Sequence, residues 1–199
     1  MTLSRRDWLM GAGALAAGTL VSTPEALRAA EAAARQPARS GRIHTPNGWT
    51  LPHRMNNGVK EFHLVAEEIE HEFAPGSKAK LWGYNGSTPG PTIEATEGDR
   101  VRIFVTNRLP EHTSIHWHGL LLPCGMDGVS GLTQPSIKPG ETYAYEFTLR
   151  QHGTHLYHPH ADEMVQLALG MMGFFIIHPR GTAQVDRDFA VLLHQFALH

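Results

Sequence analysis

Two short runs hold the residue types best suited to chemistry: HTSIHWHGLLLP, with His116 and His118, and GTHLYHPHADEM, with His158 and His160. Within each pair the partners are two residues apart. An extended strand sends residues i and i+2 to the same face, about 6.6 Å apart in rise, whereas a helix sends them to different faces. Each pair is therefore read as a comb of imidazoles on a strand, with Trp117 and Pro159 turned away from the site. Two combs in separate stretches imply that two chain segments converge on one metal site. Without a metal, such a cluster repels itself when protonated and costs burial when neutral.

The remaining candidates have plainer readings. Of the 14 histidines, His112, His152, His155 and His178 fall near the ends of apolar runs or off the ligand face and read as structural. Cys124 is the only cysteine, so no disulfide can form within the chain. Its loop LPCGMDG lacks the His and Met spacing of a copper thiolate, and it reads as a loop thiol. Asp127, in GMDGV, is a turn aspartate on local grounds, since Asp before Gly is common in turns. Asp162 and Glu163 read as solvated loop carboxylates, and Met164, Met171 and Met172 as core filling.

The combs must be held by β-structure. Between Gly58 and Pro179 the chain alternates short β-branched and aromatic runs with turn residues: VKEFHLVAEEIE, KAKLWGYNG, PTIEATEGD, RVRIFVTNRL, TSIHWHGLLL, ETYAYEFTL, GTHLYHPH and MMGFFIIHP. PGP at 89–91, EGD at 97–99 and KPGE at 138–141 punctuate them, and the partial alternation in VRIFV and YAYEF suits sheets with one buried face. An all-β, antiparallel sandwich is expected. ADEMVQLALGMMG is expected as a short helix or a loop before the last strand, and DFAVLLHQFALH starts like a further strand.

The flanks read differently. Residues 1–34 join Arg5 and Arg6 to an apolar Gly/Ala run and then to small residues suited to cleavage, which predicts a twin-arginine export signal and a periplasmic or secreted protein. The run is shorter than the roughly 20 residues that cross a bilayer, so no stable membrane anchor is expected. Residues 35–57, rich in Pro, Gly, Asn and Arg, read as an extended lead-in. With 17 Lys plus Arg against 19 Asp plus Glu there is no basic field, and nucleic acid is not an expected partner.

The ordered motifs WGYNGSTPGPTI, EGDRVRIFVTN, HWHG, MDG, IKPG, YHPH and GMMGFFIIHP resemble the first domain of multicopper oxidases, the family of laccases, ferroxidases and bacterial copper-resistance oxidases. The likeness runs over residues 58–180 and implies a Greek-key cupredoxin-like β-sandwich. It further implies that His116 binds a type 2 copper, that His118 and His158 bind one copper of a type 3 pair, and that His160 binds the other. Asp127 matches an acidic position that assists proton delivery during reduction of dioxygen to water. The family takes the other cluster ligands, and its type 1 copper, from its last cupredoxin domain. No HCH segment follows residue 160.

The resemblance therefore implies a partner: a missing carboxy-terminal cupredoxin domain or a neighbouring subunit that completes the cluster. Residues 181–199 read as a linker and the start of a truncated second domain, and the 199-residue chain alone is expected to be inactive. The reducing substrate, a phenol or a metal ion, is not encoded in these residues. Two other readings stand beside this one. One is a copper-binding or carrier domain without turnover. The other is a mononuclear zinc or copper protein, with the four histidines closing one tetrahedral site.

Overall fold

A computed structural model describes residues 19–20, 43–46, 48–181 and 185–196. The predicted export signal lies outside them except for Thr19–Leu20, a two-residue strand, β1. The other strands are β2 (Arg54–Asn56), β3 (Val59–Ala74), β4 (Ser77–Tyr84), β5 (Ile93–Thr96), β6 (Arg100–Asn107), β7 (His116–His118), β8 (Thr142–Thr148), β9 (Gly153–His158) and β10 (Gly173–His178). One short helix, α1 (Glu163–Ala168), stands between β9 and β10, where the sequence left helix and loop both open. Among the described residues no helix is long and apolar enough to cross a membrane.

The strands form two sheets. The larger runs β1-β8-β6-β3-β2, with β4 also paired to β3; the smaller runs β5-β10-β9-β7. The expected antiparallel sandwich needs a correction, because β3 with β6 and β5 with β10 pair in parallel. Partial alternation of burial, the usual mark of an antiparallel sheet with one covered face, here occurs on β6, which pairs with β3 in parallel. The lead-in also enters the fold: β2 pairs with β3, Leu51 is buried, and its amide donates to the Thr92 carbonyl.

Trp117 joins the two layers. Its indole is fully buried and meets Tyr145 and Phe147 of β8 at ring-centroid distances of 5.1 and 5.8 Å, and Phe175 of β10 at 5.9 Å. Tyr157, its register partner on β9, is also fully buried and donates to the Pro91 carbonyl at 2.8 Å. The close approach of Tyr157 requires Gly173, where a Cβ would stand 2.3 Å from the phenol. These two aromatics turn the odd positions of β7 and β9 inward, and the pleat then turns His116, His118 and His158 outward.

The carboxy-terminal stretch differs from expectation. Residues 185–196 form no strand; they make one bridge, His44 with Phe189, and lay Ala190 and Leu192 against Phe174 and Ile176 on the outer face of β10. Met171 and Met172 fill the core as expected, whereas Met164 does not: it is 85% exposed on the first turn of α1.

Candidate metal centre

Register brings the two histidine runs together. In the β7–β9 ladder His116 stands directly opposite His158, so both imidazoles leave one face of the smaller sheet. The ring centroids of His116 lie 5.5 Å from His118 and 5.4 Å from His158, and His118 lies 5.4 Å from His158. One ligand atom from each of these three residues falls within 4.8 Å of the others. This is the one group of three or more potential metal-ligand side chains among the described residues.

The second comb is only half a comb. The strand ends at His158, because Pro159 has no amide hydrogen to continue the ladder. His160 lies beyond it. Its ring is 5.4 Å from that of His116 and 6.5 Å from that of His158, and it stands outside the compact group of three.

Hydrogen bonds set which nitrogen each ring offers. A carbonyl oxygen can only accept, so His116 donates from Nδ1 to the Asp127 carbonyl at 2.8 Å, and His158 donates from Nδ1 to the Pro159 carbonyl at 2.9 Å. Both rings are left with a free lone pair on Nε2. His118 Nδ1 lies 3.1 Å from His158 Nε2. At metal–nitrogen bonds of about 2.0–2.1 Å such a pair subtends about 100° at one ion, which suits a tetrahedral or trigonal centre. The donor set therefore fits a copper or zinc ion. Burial pushes the His158 imidazole below the ordinary histidine value, against the opposing pull of the Pro159 carbonyl and the Glu163 carboxylate, and so favours the neutral, ligating form.

Asp127 touches the site through backbone and side chain, its carboxylate Oδ1 lying 3.4 Å from the same His116 nitrogen. It caps the short 3₁₀ turn Cys124–Met126, and the next residue, Gly128, packs against the strand: a Cβ there would stand 1.6 Å from the Ile115 carbonyl oxygen. Cys124 is exposed and belongs to no ligand group among the described residues.

Three further residues near the site are brought in by the fold. Glu163 places one carboxylate oxygen 3.7 Å from His158 Nδ1 and the other 3.8 Å from His160 Nε2, so the solvated-loop reading is replaced by that of a carboxylate spanning two imidazoles. Gln151 pins the chain just after His118, accepting from the Leu121 amide and donating to the Gly119 carbonyl, both at 2.6 Å. Gln166, on α1, is fully buried and bonded to Thr113 and to the His112 carbonyl. None of the three sits at a ligand-like spacing, and only the offset of Glu163 from His160, three residues on, could have drawn notice.

Comparison with known proteins identifies the family to which this β-sandwich belongs. The family profile described as multicopper oxidase matches residues 65–182. The chain is 43% identical over 120 residues to copper resistance protein A of Escherichia coli, covering 59% of this chain and 20% of that one. It is 41% identical over 152 residues to L-ascorbate oxidase of Brassica rapa subsp. pekinensis, covering 72% and 26%. Among solved structures, a multicopper oxidase from Pseudomonas thermotolerans superposes with a TM-score of 0.62 at 35% identity, over 64% of this chain and 31% of that one. The chain belongs to the multicopper oxidase family. It spans 20% and 26% of the lengths of these two curated relatives.

Proposed function

We propose that residues 58–180 are the copper-binding first cupredoxin domain of a multicopper oxidase, which couples one-electron oxidation of a reducing substrate to reduction of dioxygen to water. His116 serves a type 2 copper, His118 and His158 one copper of a type 3 pair, and His160 the other. The observation that carries this reading is the convergence of three imidazole ligand atoms within 4.8 Å. Two of the rings have Nε2 freed by a carbonyl at Nδ1. The bound coppers would supply the one-electron steps. The chain's own residues hold the rings in one tautomer, and Asp127 hands protons toward the oxygen from beside His116.

His160 separates this reading from its rivals. A closed four-histidine zinc site needs all four nitrogens around one ion, and only three converge here. An outlying fourth ligand suits a cluster completed by another domain or subunit. Exposed apolar side chains follow each comb in sequence, Leu121 after the first and Met164 after the second, which is compatible with cover by another domain. Export by the twin-arginine route to the periplasm or outside the cell belongs to the same proposal.

The test uses the full-length protein and oxygen uptake with a phenol or a cuprous or ferrous ion as donor. His118→Ala and His158→Ala should abolish uptake and lower copper content, whereas Asp127→Asn should slow uptake and leave copper in place. Uptake unchanged in the histidine variants overturns the proposal.

A further inference from the structure

The β7–β9 ladder fixes His116, His118 and His158 against one another, but it ends at His158. Past Pro159 the backbone is tied to the neighbouring loop by a long bond from the Ser130 amide to the His160 carbonyl, at 3.4 Å. Some other contact must hold His160 and Glu163 at their distance from the three inner histidines. Glu163 opens α1 and His160 lies three residues before it; the Trp82 amide and the Thr88 hydroxyl hold the carboxy end of the helix through the Leu169 and Gly170 carbonyls, and one buried polar side chain ties the helix itself to the segment before the first comb.

That side chain is Gln166. It has no exposed surface. Its Oε1 accepts from the Thr113 hydroxyl at 2.7 Å, and its Nε2 donates to the His112 carbonyl at 2.9 Å. Thr113 is fully buried as well, and its backbone is locked in both directions to Ile137. Residues 112–113 lead directly into β7 and the first comb. The amide of Gln166 thus links the segment before His116 to the helix after His160 by direct hydrogen bonds, outside the sheet. A buried amide paired on both sides has little freedom to shift, because losing either bond leaves a buried polar group unsatisfied.

We infer that Gln166 is a positioning residue for the metal centre, setting the place of His160 and Glu163 relative to the His116, His118 and His158 group. This rests on His160 being a copper ligand. Gln166 touches none of the rings, so its effect passes through the placement of α1. Loss of a group that orients metal ligands costs about 10–100-fold in affinity, and Gln166→Leu should fall in that range for the copper that depends on His160.

The experiment is a copper titration of the full-length protein, followed by competition with a chelator and by electron paramagnetic resonance, on the parent, Gln166→Leu, His160→Ala and their double variant. Thr113→Val, which removes the same bond from the other side and leaves α1 intact, stands in if Gln166→Leu does not fold. Expected are losses of affinity in Gln166→Leu and His160→Ala that do not add in the double variant, with Thr113→Val following Gln166→Leu. Unchanged affinity in Gln166→Leu or Thr113→Val, or an equal further loss on adding Gln166→Leu to His160→Ala, overturns the positioning role while leaving the ligand reading intact. Unchanged affinity in His160→Ala removes the ligand reading, and the inference with it.

Discussion

At His116 the Nδ1 proton is committed to the Asp127 carbonyl, and the Asp127 carboxylate stands 3.4 Å from the same nitrogen. The same economy of carbonyls orients His158 through Pro159, the residue that also ends the strand. The two histidine runs were legible because imidazoles two residues apart share one face of a strand, and the fold brings three of them together. Glu163 was not, since a carboxylate at a helix start is ordinary and its two imidazole neighbours come from folding. Its charge should strengthen both rings as ligands. Glu163→Gln keeps the shape and removes the charge, and a copper affinity about tenfold lower in a competition titration is expected. An affinity equal to the parent's would return Glu163 to the solvent.

Strands carry these residues, and their faces were readable where alternation is clean. Val101, Ile103 and Val105 of β6 and Tyr143, Tyr145 and Phe147 of β8 are all buried, as the pattern in VRIFV and YAYEF predicts. The parallel pairings were not readable, because direction is decided by crossovers between the sheets. The end of the second comb at His158 follows from Pro159, whose missing amide hydrogen stops the ladder. The turn that carries Asp127 depends on Gly128, with φ of 82° and no room for a Cβ. Gly128→Ala should lower unfolding free energy by about 2 kcal/mol or more in urea, and should weaken copper binding by moving the Asp127 carbonyl. On β3, burial holds the His63 imidazole below its ordinary value, only partly offset by the Glu61 carboxylate, and the ring stacks on Phe104 at 4.8 Å. The unfolded chain then binds that proton more readily than the folded one. His63 therefore costs nothing above about pH 6.5, and stability falls as the pH drops through 6.5 toward the lower folded value. Urea midpoints at pH 7.5 and 5.5 should differ less in His63→Phe than in the parent; an unchanged difference would exclude His63 as a source.

The described residues form a sandwich wedged at Trp117, with a histidine face on the smaller sheet. The chain spans 20% and 26% of the lengths of the two curated relatives named above. The sequence made the family legible through the order of its motifs; it could not make legible the link from α1 to residues 112–113, because Gln166 and Thr113 are brought together only by the fold. The central claim is that these histidines hold copper. Crystals of the copper-loaded protein, with diffraction recorded on both sides of the copper absorption edge, test it most directly. The expected result is an anomalous peak about 2.0–2.1 Å from both His118 Nδ1 and His158 Nε2, with a further peak beside His116 or His160 once the completing domain is present. A map with no copper among the four histidines, or with zinc taking the site in an equimolar soak, would contradict the claim.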